Sequence, residues 1–154
     1  MFNARLSPRI SRKAGQLPVL QQSAALCYRV KQGQPEVLLI TTRKSGRWII
    51  PKGWLIDGLT PSETARQEAW EEAGVLGECR QLSVGCFSYY KHRSKKGSVQ
   101  CLVDVYPLFV QSTVSRFPER AQRQRKWFTP ERAAGRVNSG DLALLLRKVG
   151  LLPH

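Results

Sequence analysis

The sequence predicts an α+β fold, a mixed β-sheet sandwiched between α-helices. Three observations carry that prediction. Apolar runs of strand length precede and follow one sharply punctuated helix at Pro61–Ala73. Two long β-type runs, 82–91 and 98–110, face each other across a short turn. A second helical pattern closes the chain, so the order is strands, helix, strands, helix, which one sheet covered on both faces satisfies most simply.

In chain order, Ser23–Val30 (SAALCYRV) reads as a strand, 31–35 as a turn, and Glu36–Thr42 (EVLLITT) as a strand buried on both faces. Ser45-Gly46 marks a turn. Trp48–Ile50 is a short strand that Pro51 ends. Thr60 caps the helix, Pro61 takes its first position, Glu63 completes a capping box and Gly74 stops it. The turn Ser94-Lys95-Lys96-Gly97 joins the two long strands. Lys126–Phe128 is a short strand, and Thr129-Pro130 opens a short helix. Asp141–Lys148 is an amphipathic helix carrying Leu142, Leu145 and Leu146 on one side, with Val149 just beyond its end. No internal repeat is present. Residues 1–21, basic and interrupted by Pro8 and Pro18, read as a mobile tail, leaving 22–154 as the folded domain.

The 154 residues fit one domain, and no apolar run approaches the roughly 20 residues of a membrane-spanning helix. No secretory signal is visible, and the four cysteines lack zinc-site spacing, so they read as reduced thiols of a cytoplasmic protein. The net charge is +14, but it is unevenly placed: residues 53–78 hold six acids and one base. An acidic island in a basic chain suits a divalent cation ringed by phosphate-binding groups. Helix-turn-helix, zinc and aromatic RNA-binding motifs are absent, which argues against a dedicated nucleic-acid reader.

Chemistry concentrates on the first helix. Glu68, Glu71 and Glu72 lie at i, i+3 and i+4 and share a face spanning about 100° of arc. Like charges at that spacing repel, and a hard cation offsets the repulsion. Ala65, Ala69 and Ala73, joined by Trp70, line the adjacent face, where small side chains allow close approach to a sheet. Basic residues fall in three groups: Arg43, Lys44, Arg47 and Lys52 before the helix; Lys91, His92, Arg93, Lys95 and Lys96 at the hairpin; Arg123, Arg125 and Lys126 before the last strand. Trp48 and Trp54 suit either base stacking or the core.

The segment 53–75, GWLIDGLTPSETARQEAWEEAGV, resembles the Nudix box, in which G, five residues, E and seven residues precede R-E-U-x-E-E-x-G-U, U being bulky and apolar. Gly53, Glu68, Glu71, Glu72, Gly74 and Val75 fall on the pattern; Leu59 and Gln67 replace its first glutamate and its arginine. Further segments, EVLLITTRKSGRWIIPKGW, YYKHR and RKWFTPERAA, are similar to the branch that includes the diphosphoinositol polyphosphate phosphohydrolases, which also act on diadenosine polyphosphates. The resemblance implies a Nudix fold and a Mg²⁺- or Mn²⁺-dependent pyrophosphohydrolase. Its expected catalytic residues are Glu68, Glu71 and Glu72, and the same three with the Gly53 carbonyl would hold metal. Phosphates of a polyphosphorylated small molecule would be held by Arg43, Arg47, Lys52, Lys91, His92, Arg93 and Arg125, with Arg43 and Lys52 foremost, and Glu119 is a candidate further acid. An RNA 5′ end also suits the basic surface, and Leu59 and Gln67 point to the other alternative, a phosphate-binding module that has lost catalysis.

Overall fold

The computed structural model describes residues 17–154. The basic tail through residue 16 lies outside the described residues, but Val19–Gln21, expected in that tail, already pair with the central sheet. The described strands are β1 (Val19–Lys31), β2 (Gln34–Thr41), β3 (Trp48–Ile49), β4 (Lys52–Trp54), β5 (Val75–Cys79), β6 (Gly85–Arg93), β7 (Gly97–Thr113) and β8 (Arg125–Phe128). The helices are α1 (Pro61–Ala73), α2 (Pro130–Arg136) and α3 (Gly140–Arg147).

Among the described residues all eight strands join one mixed sheet in the order β3-β2-β1-β7-β5, with β4 on β1, β6 on β7 and β8 on β2. The parallel pairing of β1 with β7 is its long axis, Val19 opposite Gln100 through Tyr28 opposite Phe109. Alternation along β1 divides the core. Ala24, Leu26 and Tyr28 face α2 and α3, packing with Leu142, Leu146 and Val149. Ala25 and Cys27 face α1 and meet Ala65, Ala69 and Ala73. The three alanines are fully buried against the sheet, as their size predicts, whereas Trp70 turns outward and is exposed.

Helix α1 starts and stops where the sequence places it. The Thr60 side chain accepts from the Glu63 backbone N–H, and the Glu63 carboxylate accepts from the Thr60 N–H at 2.9 Å. Gly74 adopts φ +65°, and a Cβ there would lie 2.4 Å from the Phe117 ring. Its carbonyl accepts from the Val114 N–H at 2.8 Å, tying the helix end to the exit of β7.

Two strands form where the sequence predicts none, the first where Pro51–Trp54 reads as a strand end entering a loop. Lys52–Trp54 pairs antiparallel with β1, Gly53 opposite Ser23, and so fixes the entry to α1 within the sheet. Val75–Cys79 leaves α1 directly into pairing with β7. The run 82–84 expected at the start of β6 is instead a bend with Leu82 exposed, and β7 extends three residues past its expected end. Among the described residues no helix is long and apolar enough to cross a membrane.

Candidate active site

A polar cleft of about 980 Å³ opens where α1 faces β4, β6 and the loops after β2 and β7. Two of the three helix glutamates reach it. Glu68 is 2% and Glu72 7% exposed, deep for carboxylates. They stand one turn apart on the face of α1 that leans on β4. Gly53 makes room for Glu68: a Cβ there would sit 2.4 Å from the Glu68 carboxyl carbon and 2.5 and 2.7 Å from its oxygens.

Both Glu72 oxygens are held. The Lys52 backbone N–H donates to Oε1 at 3.2 Å, and the Arg123 guanidinium lies 3.4 Å from Oε2. Burial first, then the neighbouring Glu68 carboxylate, pushes the Glu72 carboxyl up to about 8, against the opposing pull of Arg123. A metal-free site therefore retains a proton near neutrality. A dication placed against this pair would displace that proton and satisfy the oxygens, so the donor chemistry and the glycine-shaped gap fit Mg²⁺ or Mn²⁺. Among the described residues no three His, Cys, Asp or Glu side chains form a closed metal cage by themselves. Two carboxylates would suit Mg²⁺, which keeps few protein ligands and fills the rest of its shell with water.

Glu71 is placed differently from its neighbours. It is half-buried and does not line the cleft; Gln67, at the box position usually filled by arginine, donates from Nε2 to Glu71 Oε1 at 3.0 Å. Leu59, in place of the first box glutamate, is half-buried and also off the cleft.

The rest of the lining is rich in basic side chains: Arg43, Arg47, Lys52, Lys91 and His92 all line the cleft. Lys52 is the most constrained: its Nζ donates to Tyr89 Oη at 3.1 Å, and Tyr89 in turn donates to Gln22 Oε1 at 2.7 Å. Burial lowers the Lys52 pKa, with Glu72 pulling the other way. Lys91 lies over the Trp54 ring, 5.3 Å from its centroid. Trp54 thus belongs to the cleft wall, whereas Trp48 packs edge-on against Phe128 in the core.

Two expected phosphate ligands lie elsewhere. Arg93 is folded back on its own turn, donating to the Gly97 and Lys96 carbonyls at 3.3 and 3.4 Å. Arg125 donates to the Ala73 carbonyl at 2.7 Å and lies over Phe117, so it caps α1 at a carbonyl that has no partner within the helix. Glu119 does reach the cleft. Its N–H donates to the Glu71 carbonyl at 3.0 Å, which docks the loop onto α1.

Three cleft residues carry no individual signal in the sequence. Gln22 lies just before the strand predicted to start at Ser23, and Tyr89 reads as an ordinary strand position. Arg123 read as one of a basic group, yet its side chain is only 9% exposed and ion-paired to both Glu72 and Glu119.

A sheet between helices, with a glycine strand against buried glutamates in a cleft rich in basic side chains, is the arrangement expected of a Nudix domain. The chain belongs to the Nudix family: the NUDIX domain matches residues 20–147. It is 35% identical over 104 residues to Nudix hydrolase 12, mitochondrial, of Arabidopsis thaliana, covering 64% of this chain and 50% of that protein. It is 30% identical over 115 residues to human diphosphoinositol polyphosphate phosphohydrolase 3-beta, covering 73% and 66%. The chain thus spans about half to two thirds of these relatives. Among solved structures it is similar in fold to a MutT protein from Methanosarcina mazei (TM-score 0.65, 18% identity, 87% of this chain and 94% of that one). A C. elegans Ap4A hydrolase binary complex gives TM-score 0.61 at 21% identity, covering 83% and 93%.

Proposed function

We propose that this protein is a metal-dependent pyrophosphohydrolase that cleaves a diphosphate linkage in a highly anionic substrate, a diphosphoinositol polyphosphate or a dinucleoside polyphosphate. The observation that carries the reading is the buried Glu68–Glu72 pair beside Gly53 in a cleft also lined by Arg43, Arg47, Lys52 and Lys91. The human relative's name supplies the first substrate class, and the name of the C. elegans neighbour the second.

A bound Mg²⁺ or Mn²⁺ supplies neutralisation of phosphate oxygens and acidification of water. The chain's own residues do the rest. Arg43 and Arg47 grip outer phosphates as planar forks, and Lys52 and Lys91 act as point charges. His92 is a further phosphate partner. The Tyr89–Gln22 chain fixes Lys52 before substrate arrives, so little ordering is left for the bound state. Water oxygen bonds to phosphorus as the bridging P–O bond breaks, and a carboxylate of the site takes the water's proton. Glu68 and Glu72 are the leading metal-holding carboxylates, Glu119 faces them from the loop, and Glu71 acts behind them. The four cysteines are free, which suits a reducing compartment, cytoplasm or organelle matrix; the plant relative's name carries the word mitochondrial.

Product analysis tests the proposal. Purified protein with Mg²⁺ or Mn²⁺ is offered a diphosphoinositol polyphosphate, a diadenosine polyphosphate, a nucleotide sugar and a 5′-triphosphate RNA. Metal-dependent cleavage supports the hydrolase, and the fastest substrate names its class. RNA as the fastest substrate would replace the small-molecule reading. Tight phosphate-ligand binding without turnover would overturn the enzyme in favour of a binding module.

A further inference from the structure

Arg123 joins three elements at one point. Its Nη1 donates to the Thr41 carbonyl at the end of β2, at 3.0 Å. Its Nε donates to Glu119 Oε1 at 3.0 Å, and Nη2 lies 2.9 Å from the same oxygen. Nη2 also lies 3.4 Å from Glu72 Oε2. A guanidinium stays charged at any working pH and presents its donors in a rigid fork, so these contacts set direction as well as charge.

The helix itself lacks this device. At the box position expected to carry arginine stands Gln67, whose neutral amide is directed to Glu71, away from the cleft. Arg43 approaches Glu119 Oε1 at 3.9 Å from the loop after β2, and the guanidinium that meets Glu72 comes from the approach to β8, 56 residues downstream of Gln67 in the sequence.

We infer that Arg123 is a positioning residue that replaces the missing box arginine, anchoring on the β2 carbonyl and aiming the Glu72 and Glu119 carboxylates into the cleft. The inference rests on the proposed hydrolase reading. The geometry is reciprocal: the Lys52 N–H fixes Oε1 of Glu72 and Arg123 fixes Oε2, so the carboxylate plane has one orientation. Groups that orient metal-holding carboxylates typically change metal affinity or turnover by about 10- to 100-fold when removed.

Arg123→Gln and Arg123→Lys in the full chain provide the test. Mn²⁺ binding is read by electron paramagnetic resonance of the free ion without substrate, and kcat and KM are read at saturating Mg²⁺. Positioning predicts Mn²⁺ affinity and kcat each lower by about 10- to 100-fold in Arg123→Gln, with KM within about threefold. Arg123→Lys keeps the charge but loses the fork, and it should recover only part of both. Tighter Mn²⁺ binding in Arg123→Gln would show that the guanidinium merely competes with metal, overturning the inference. A raised KM with unchanged Mn²⁺ affinity and kcat would make Arg123 a substrate ligand and overturn it equally. If Arg123→Gln fails to fold, Arg123→Lys decides: wild-type Mn²⁺ affinity and kcat refute positioning. A wild-type chain that neither binds Mn²⁺ nor cleaves any substrate sinks the hydrolase reading itself; a wild type that does both beside unaffected variants sinks only the role of Arg123.

Discussion

Replacing Gly53 by alanine should separate folding from catalysis. The added Cβ would meet the Glu68 carboxyl carbon at 2.4 Å. Ordinary carbon contact is about 3.5–4.0 Å, so the carboxylate must retreat by roughly 1 Å. It is the far end of a flexible side chain, and the backbone at Gly53 is not left-handed, so alanine fits the strand conformation. Forcing Glu68 off its rotamer costs about 0.5–1.5 kcal/mol, which for a chain of this size lowers Tm by only about 1–6 °C. Catalysis is less tolerant, because a 1 Å displacement of a reacting group can cost on the order of 100-fold. Steady-state kinetics at saturating Mg²⁺, beside a thermal melt, provide the assay. The expected result is a folded variant with kcat about 100-fold lower. A folded Gly53→Ala protein with wild-type kcat would refute the claim that the Glu68 carboxylate beside this glycine is catalytic.

Three further outcomes follow from the same geometry. Glu72, raised to about 8 in the metal-free fold, binds a proton there that the unfolded chain has already released above about 4.5. The folded state thus binds more protons in that window, so its stability falls as pH rises from about 5 to about 8; melts in a chelator should show this, and Mg²⁺ should reverse most of it at the upper end. Tyr89→Phe removes the oxygen joining Lys52 to Gln22. It should raise KM several-fold with little change in kcat, and leaving Gln22 without its donor should cost about 1–3 kcal/mol in a denaturation curve; an unchanged KM would show that Lys52 needs no such fixing. Arg125→Gln should leave KM unchanged and lower stability by about 1.5–3 kcal/mol through the lost charged hydrogen bond to the Ala73 carbonyl; a large rise in KM would return Arg125 to the substrate.

The helix and its chemistry were legible because their signals are local. Thr60, Pro61, Glu63 and Gly74 each act within one turn of the chain, so their types alone set where α1 begins and ends. The long hairpin was legible for the same reason, its turn closing between Arg93 and Gly97. Strands β4 and β5 were not, because Lys52-Gly53 and Gly77-Glu78 have little intrinsic strand preference and are made strands by their partners β1 and β7. The site divides likewise. Glu68 and Glu72 follow from helical spacing and the box. Periodicity places Glu71 on the same arc, but not the turn of the helix relative to the sheet that leaves its side chain off the cleft. Arg123, Arg125 and Arg93 are equivalent in composition; only tertiary register separates the residue that meets Glu72 from those that bond helix and turn carbonyls.

The central claim is that water attacks phosphorus at a metal held by the helix carboxylates. Cleavage of a diadenosine polyphosphate and of a diphosphoinositol polyphosphate in ¹⁸O-water with Mg²⁺, with mass analysis of the products, tests it most directly when run beside Glu72→Gln. The account predicts one ¹⁸O in a phosphate product per bond cleaved, no cleavage in chelator, and a loss of at least about 100-fold in the variant, whose amide cannot hold the metal as a carboxylate does. Cleavage that persists in chelator, or a folded Glu72→Gln protein with wild-type turnover, would contradict it.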